Sequence, residues 1–348
     1  MIFNLFGYPK TGKTTLFNLL TGQKEAVDKF SSKGELHKAI VEVPDPRLTQ
    51  LNELYHTIVK PAQVEYLDTG SLAYGEVKGS TFVDLLRRGD GMVHVVRGFE
   101  DPEIPHPAGK VDPKRDILSM EAELLLTDQI SVETRLERLE KDLKKAKNKD
   151  GEEEKALMLK LKEHLEAGHP LREVVLEPHE ENRIRGFEFL SRKPLIHMVN
   201  LDEGMESWEE GGNNRMVLCF YGKIEAELSE ITEESQRREF LEAYGISHSV
   251  RDHFIRESYS LLNLRSFFTV GEDEVRAWTI HKGDSAYDAA GKIHTDLQKG
   301  FIRAEVIFWE DLIKVGGFKG AKEKALLRLE GKEYPVKDGD IVHIRSGL

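Results

Sequence analysis

Cysteine is nearly missing from this chain: Cys219 stands alone among 348 residues. No internal disulfide framework and no cysteine-rich metal site can form, which suits a reducing compartment. Long apolar runs are missing as well, and nothing approaches the roughly 18 consecutive apolar residues of a membrane-spanning helix. The N-terminus has no basic stretch followed by an apolar segment and a cleavage site; it runs directly into the strand-like Ile2–Phe6. A soluble cytoplasmic chain without membrane contact is therefore expected. Positive charge is in deficit, with a net charge of -12, which excludes a surface coated for nucleic acid. Any RNA contact has to be regional, and no readout of DNA sequence is expected. Internal repeats are absent too.

What is present is an alternation of strand-like and helical runs. Residues 2–6, 39–43, 64–67, 92–96, 195–199 and 216–219 read as strands with helical segments between several of them. That pattern predicts an α/β sheet covered by helices, mostly parallel where crossovers intervene. Within 131–169 the composition changes. Val132, Leu136, Leu139, Leu143 and Ala146 recur at spacings of four and three among charges, the seam of a coiled coil. A polar break at 148–151 precedes Leu157, Leu161 and Leu165, so two antiparallel helices joined at a charged tip are predicted. Lys141, Lys144, Lys145, Lys147 and Lys149 near the tip either meet phosphates or form a solvated face. Beyond Leu262 a third region of short strands and glycine turns suggests a separate α+β domain.

Chemistry enters at Gly7-Tyr8-Pro9-Lys10-Thr11-Gly12-Lys13-Thr14, which matches G-x-x-x-x-G-K-[ST] between a strand and a helix. The glycines let backbone amides approach phosphates, Lys13 sets a cation against the β and γ oxygens, and Thr14 offers a hydroxyl to Mg²⁺. Asp68 ends the run 64–67, where a P-loop protein places a second acid for Mg²⁺; the alternative is an aspartate capping an exposed turn. Lys13, Thr14 and Asp68 are thus the candidate catalytic residues. Asn200-Leu201-Asp202-Glu203 follows another strand, in the place of the N-x-x-D that reads guanine. Glutamate instead of aspartate displaces the carboxylate by a methylene and weakens that selection. His94 and His197 lie in strand-like runs and read as core or edge histidines. In the C-terminal region Arg276, Trp278, Lys282, Lys299, Phe301 and Arg303 interleave cations with aromatics, a combination that can hold phosphate and stack bases unless the aromatics are core.

Taken together these residues resemble the YchF or Obg-like ATPase family, in the Obg group of P-loop GTPase relatives. Besides the phosphate loop, the similarity rests on VPDPRL (43–48), HVVRGFED (94–101), GKVDPKRDI (109–117), NLDE (200–203), KIEAEL (223–228) and a C-terminal stretch at 267–306 similar to that family's TGS domain. The resemblance implies a P-loop domain at 1–128 and 178–262, an inserted antiparallel coiled-coil arm at 129–177, and a β-grasp (TGS) domain at 263–348. It implies Mg²⁺ and ATP as cofactors, with GTP a possibility, slow hydrolysis, and association with the ribosome or ribosomal RNA. Lys10, Thr11, Gly12, Lys13, Thr14 and Thr15 would enclose the phosphates; Asn200, Leu201 and Glu203 would flank the base, and Tyr221 and Gly222 would form the base-binding loop.

Four positions depart from the family pattern. Lys10 stands where the phosphate loop usually has asparagine. Ser71 replaces the glycine of the second switch in Asp68-Thr69-Gly70-Ser71. The first switch is reduced to residues 29–34, with Ser32 the candidate Mg²⁺ ligand, and the glycine-rich stretch is shortened to 73–80. Leu72 occupies the place of a water-orienting glutamine, a hydrophobic replacement that the family shares. A nucleotide-binding scaffold with little hydrolysis is the alternative to a switch enzyme. The oligomeric state is not legible.

Overall fold

The structure, a computed structural model, describes residues 1–22, 37–70, 80–146, 148–212, 215–246 and 249–347. Calls made on Ser32, Ser71, Leu72 and Lys147 lie outside the described residues, as do the shortened stretch up to residue 79 and the whole first-switch segment. The chain divides into two units, one of residues 1–39 and 65–251, the other of 40–64 and 252–348.

The strands in chain order are β1 (Ile2–Phe6), β2 (His37–Glu42), β3 (Ile58–Lys60), β4 (Gln63–Asp68), β5 (Gly91–Arg97), β6 (Leu195–Asn200), β7 (Glu210–Gly212) and β8 (Arg215–Phe220). Apart from β3 they form one sheet ordered β2-β4-β1-β5-β6-β8-β7. Here β4, β1, β5, β6 and β8 pair in parallel and β7 returns antiparallel on β8. Every residue of β5 and β6 is buried, the continuous burial expected of central parallel strands covered on both faces. All six sequence-read strands of this unit are present, with ends moved by one or two residues.

Helices follow the strands: α1 (Lys13–Thr21), α2 (Pro46–Tyr55), α3 (Ser80–Arg88), α4 (Pro113–Lys145) and α5 (Lys149–Glu166). Asp112 caps α4 by accepting from the Arg115 amide at 3.1 Å, with Pro113 at the first helical position. This helix is 33 residues long, about 50 Å at the helical rise. It therefore begins well before the expected arm boundary at 129. Its first half packs Met120 and Leu124 against Phe6, Tyr8, Leu86 and Met92 of the sheet. Its second half packs Val132, Leu136 and Leu139 against Leu157, Met158, Leu161 and Leu165 of α5. Glu133–Lys162 and Glu140–Lys155 ion pairs, at 3.3 and 2.9 Å, fix the antiparallel register. The break expected at 148–151 is tighter than read: the Asn148 side chain accepts from the Gly151 amide at 2.7 Å, so α5 starts at Lys149.

The second unit holds β9 (Leu264–Val270), β10 (Glu274–His281), β11 (Phe301–Phe308), β12 (Arg328–Glu330) and β13 (Asp340–Ser346). With β3 they form a sheet ordered β12-β11-β13-β9-β10-β3. This differs from the boundary expected at 263, because residues 40–64 join the C-terminal strands. The cause is pairing: β3 lies parallel to β10 in the register Glu274↔Ile58, and Arg47 of α2 reaches Asp338 at 2.7 Å. In the core, Phe267, Ile280, Val306 and Val342 pack with Phe301. The cation and aromatic interleaving seen in the sequence is accordingly split. Phe301 is interior, and Trp278 is half-buried with its ring nitrogen donating to Thr269 Oγ1 at 2.9 Å. Lys282, Lys299 and Arg303 remain exposed.

Candidate functional site

The site is built at the carboxyl ends of β1, β4, β5, β6 and β8, the edge where open parallel sheets take their ligands. Strand β1 ends at Phe6, and the loop from Gly7 leads into α1 at Lys13. Gly7 has φ 150°, and a Cβ there would stand 2.4 Å from the Val95 carbonyl oxygen of β5. Gly12 has φ 97°, and a Cβ there would stand 2.3 Å from Asn200 Nδ2. Both glycines are thus required by conformation and by close approach. Between them Lys10, a non-glycine residue, adopts φ 62°, a left-handed conformation that costs roughly 1–2 kcal/mol.

Inside the loop the buried Lys13 Nζ donates to the Gly7 and Tyr8 carbonyls at 3.2 and 2.8 Å, and Thr11 Oγ1 donates to the Tyr8 carbonyl at 3.1 Å. Burial lowers the Lys13 ammonium to about 8 even though the charge of Asp68 pulls the other way. Asp68 is the last residue of β4, in register with Leu5, and is buried; its Oδ1 accepts from the Gly70 amide at 3.0 Å. Thr69 Oγ1 donates to the Leu5 carbonyl at 2.8 Å and ties this turn back to β1. The structure therefore brings Lys13 and Asp68 together, with Thr14 and Thr15 half-buried in the first turn of α1.

The residues expected around a base have more varied places. Asn200, at the end of β6, spends its amide on the protein itself: Nδ2 donates to the Thr11 carbonyl at 3.2 Å, and Oδ1 accepts from the Gly222 amide at 3.0 Å. Its backbone carbonyl accepts from the Gly98 amide at 2.7 Å. Gly222 needs to be glycine here, since a Cβ would meet Asn200 Oδ1 at 2.7 Å. Leu201 points its side chain into the core with Val96, Ile117, Val199 and Val217, so it offers a ligand only its backbone. Glu203 is exposed. Tyr221 OH donates to the Met205 carbonyl at 2.7 Å, and Lys223 pairs with Asp202 at 3.4 Å. Segments 200–205 and 221–223 are thereby laced into one rim.

Family membership follows from comparison with known proteins. The chain is 40% identical to the ribosome-binding ATPase YchF of Bacillus subtilis (strain 168), over 99% of this chain and 98% of that one. It belongs to the YchF family. The YchF relative from Escherichia coli O157:H7 is 39% identical over 97% of each chain. A family model described as "YchF-GTPase_C: Protein of unknown function (DUF933)" matches residues 264–347. Among solved structures, the Schizosaccharomyces pombe YchF GTPase superposes with a TM-score of 0.86 at 30% identity, covering 99% of this chain and 97% of that one.

Two groups near the YchF-type loop were not recognised as site components in the sequence. Arg97, buried at the end of β5, donates to the carbonyls of Phe99 and Ile104 at 3.0 and 2.8 Å and shapes the segment after the strand. His94 and His197 read as core histidines and are core. They also stand in register on β5 and β6, and their Nδ1 atoms lie 3.0 Å apart. Spacing along the chain gives no sign of such a pair, because parallel register joins residues 103 apart.

Proposed function

We propose that this chain is a Mg²⁺-dependent ATPase of slow intrinsic turnover that acts as a nucleotide-controlled switch on the ribosome, in the cytoplasm. The carrying observation is the buried Lys13 ammonium, held by the Gly7 and Tyr8 carbonyls beside Asp68. A triphosphate laid over this loop meets backbone amides, a cation and the α1 N-terminus together. Hydroxyl and carboxylate oxygens at Thr14 and Asp68 have the hard-donor chemistry that Mg²⁺ takes, with water and phosphate oxygens completing the shell. When bound, Mg²⁺ neutralises charge that develops between the β and γ phosphates. Among the described residues no three acidic, histidine or cysteine side chains gather into a ready-made metal cage, which agrees with a metal that arrives with its nucleotide.

Slow turnover follows from Leu72, whose hydrocarbon side chain has no atom to orient an attacking water. The printed names of the Bacillus and Escherichia relatives, ribosome-binding ATPases, favour a ribosomal partner. On this chain the exposed Lys141, Lys144, Lys145 and Lys149 of the helical hairpin, with Lys282, Lys299 and Arg303 of the second unit, are the cations for such an RNA contact. Among the described residues no helix is long and apolar enough to cross a membrane. Phosphate release measured with and without ribosomes tests the reading. Stimulation by ribosomes fits the switch enzyme, whereas tight nucleotide binding with no release under either condition makes the chain a scaffold.

A further inference from the structure

A line of buried titratable groups runs from the phosphate loop to the root of the long helix α4. His94 lies at its loop end, stacked on Phe6 with ring centroids 5.3 Å apart and meeting Tyr8 edge-on at 6.2 Å. His197 Nδ1 is 3.0 Å from His94 Nδ1, and His197 Nε2 is 3.5 Å from Glu121 of α4. Glu121 in turn pairs with Arg172 at 2.5 Å and with Arg215 at 3.3 Å. The charged and titratable groups around the histidines are thus Lys13 at one end and Glu121, Arg172 and Arg215 at the other, while Tyr8 OH turns away to Glu123 at 3.4 Å.

The geometry assigns the protons. Burial would raise the Glu121 carboxyl, but the His197 hydrogen bond and the charges of Arg172 and Arg215 prevail and hold it at about 2. It is a carboxylate and only accepts, so His197 carries its proton on Nε2 and presents a bare Nδ1. His94 must then donate from Nδ1. Its Nε2 is left as a lone pair, fully buried and without a hydrogen-bond partner. Burial first, then His197 and the Lys13 charge, keep His94 neutral. The Lys13 contribution is the one that a ligand changes: a triphosphate with a single Mg²⁺ brings net negative charge to the loop and reverses the sign of the field there.

We propose that His94 Nε2 is a proton site linked to occupancy of the phosphate loop, so that a triphosphate binds together with a proton and leaves together with it. Protonation turns His94 Nδ1–H more strongly onto His197 and so onto Glu121, carrying loop occupancy to the root of the helical hairpin. By linkage, acid then tightens nucleotide binding. This inference rests on the nucleotide-binding reading given above.

The test is calorimetric titration of the whole chain with ATP and excess Mg²⁺ at pH 6 to 7, in two buffers of different ionisation enthalpy, for the wild type and for His94→Asn. Asparagine retains an amide N–H for His197 but does not titrate. Subtraction of the variant removes protons belonging to the nucleotide, and the window lies below the titration of Lys13. The expected result is net proton uptake in the wild type and affinity falling by about threefold per pH unit, which corresponds to half a proton; both are lost in His94→Asn. Equal uptake in the two proteins, or none in the wild type, overturns the proposal. If the variant does not fold, ¹⁵N spectra of the wild-type histidines decide: Nε2 of His94 gains a proton when nucleotide is added, or it stays bare and the proposal fails. Absence of saturable binding at any pH overturns the nucleotide reading as well, whereas saturable binding without proton uptake overturns this inference alone.

Discussion

The phosphate end of the site and its base end are built in opposite ways. Residues 7–14 are contiguous, and the loop's own carbonyls position Lys13. The base end is assembled from separate stretches after β5, β6 and β8, joined by Asn200 through bonds to Thr11 and Gly222. A contiguous loop carries its geometry in its residue order; an assembled rim depends on a strut. The difference teaches that Asn200, which by position in the motif reads a base, has a mechanical task as well: it ties the rim to the loop.

The largest expected effect is at the contiguous end. Lys13→Ala removes the buried cation, and hydrolysis should fall by about 10²–10³-fold, read by phosphate release under saturating Mg²⁺ and ATP. Next is Gly12→Ala, whose Cβ collides with the Asn200 amide at 2.3 Å. A loss of more than about 2 kcal/mol in unfolding free energy is expected, because a strained loop and a displaced strut come together; chemical denaturation measures it.

Asn200→Ala sharpens the comparison itself. Loss of two buried hydrogen bonds should cost about 1–3 kcal/mol of stability and weaken ATP and GTP alike, by about tenfold. A variant of unchanged stability that merely alters the ATP to GTP ratio would return Asn200 to the role of a base reader. Glu203→Asp, exposed and outside the strut, should instead shift the ratio towards GTP by several-fold with stability unchanged, following the one-methylene argument.

The phosphate loop and the parallel strands were legible because each is local: a run of apolar residues, a glycine, a lysine. The hairpin seam was legible for the same reason, through its spacing. What could not be read depends on register or on distant pairing. The attachment of 40–64 to the C-terminal strands needs the β3–β10 match, and the histidine pair needs the β5–β6 match. Leu201 shows the converse, since a residue within a base-site motif turned inward to fill the core.

The smallest effect lies away from both ends. Asp128 of α4 accepts from the Leu190 and Ser191 amides and the Ser191 hydroxyl at 2.6–2.9 Å, yet burial raises its carboxyl to about 6 against those bonds. A folded value above the unfolded one means that the native state holds this proton more tightly. The contribution is therefore full below about pH 4 and is lost as pH rises through 6. Asp128→Asn should flatten the stability profile across that window by about 1–3 kcal/mol, seen by unfolding at a series of pH values.

The central claim is that residues 7–14 hold a triphosphate with ATP preferred. Its most direct test is titration of the purified chain and of Lys13→Ala with fluorescent ATP and GTP analogues plus Mg²⁺, competed with the unlabelled nucleotides. The account predicts saturable binding displaced more readily by ATP than by GTP and greatly weakened in the variant. Equal binding by the variant, or displacement by neither nucleotide, would contradict it.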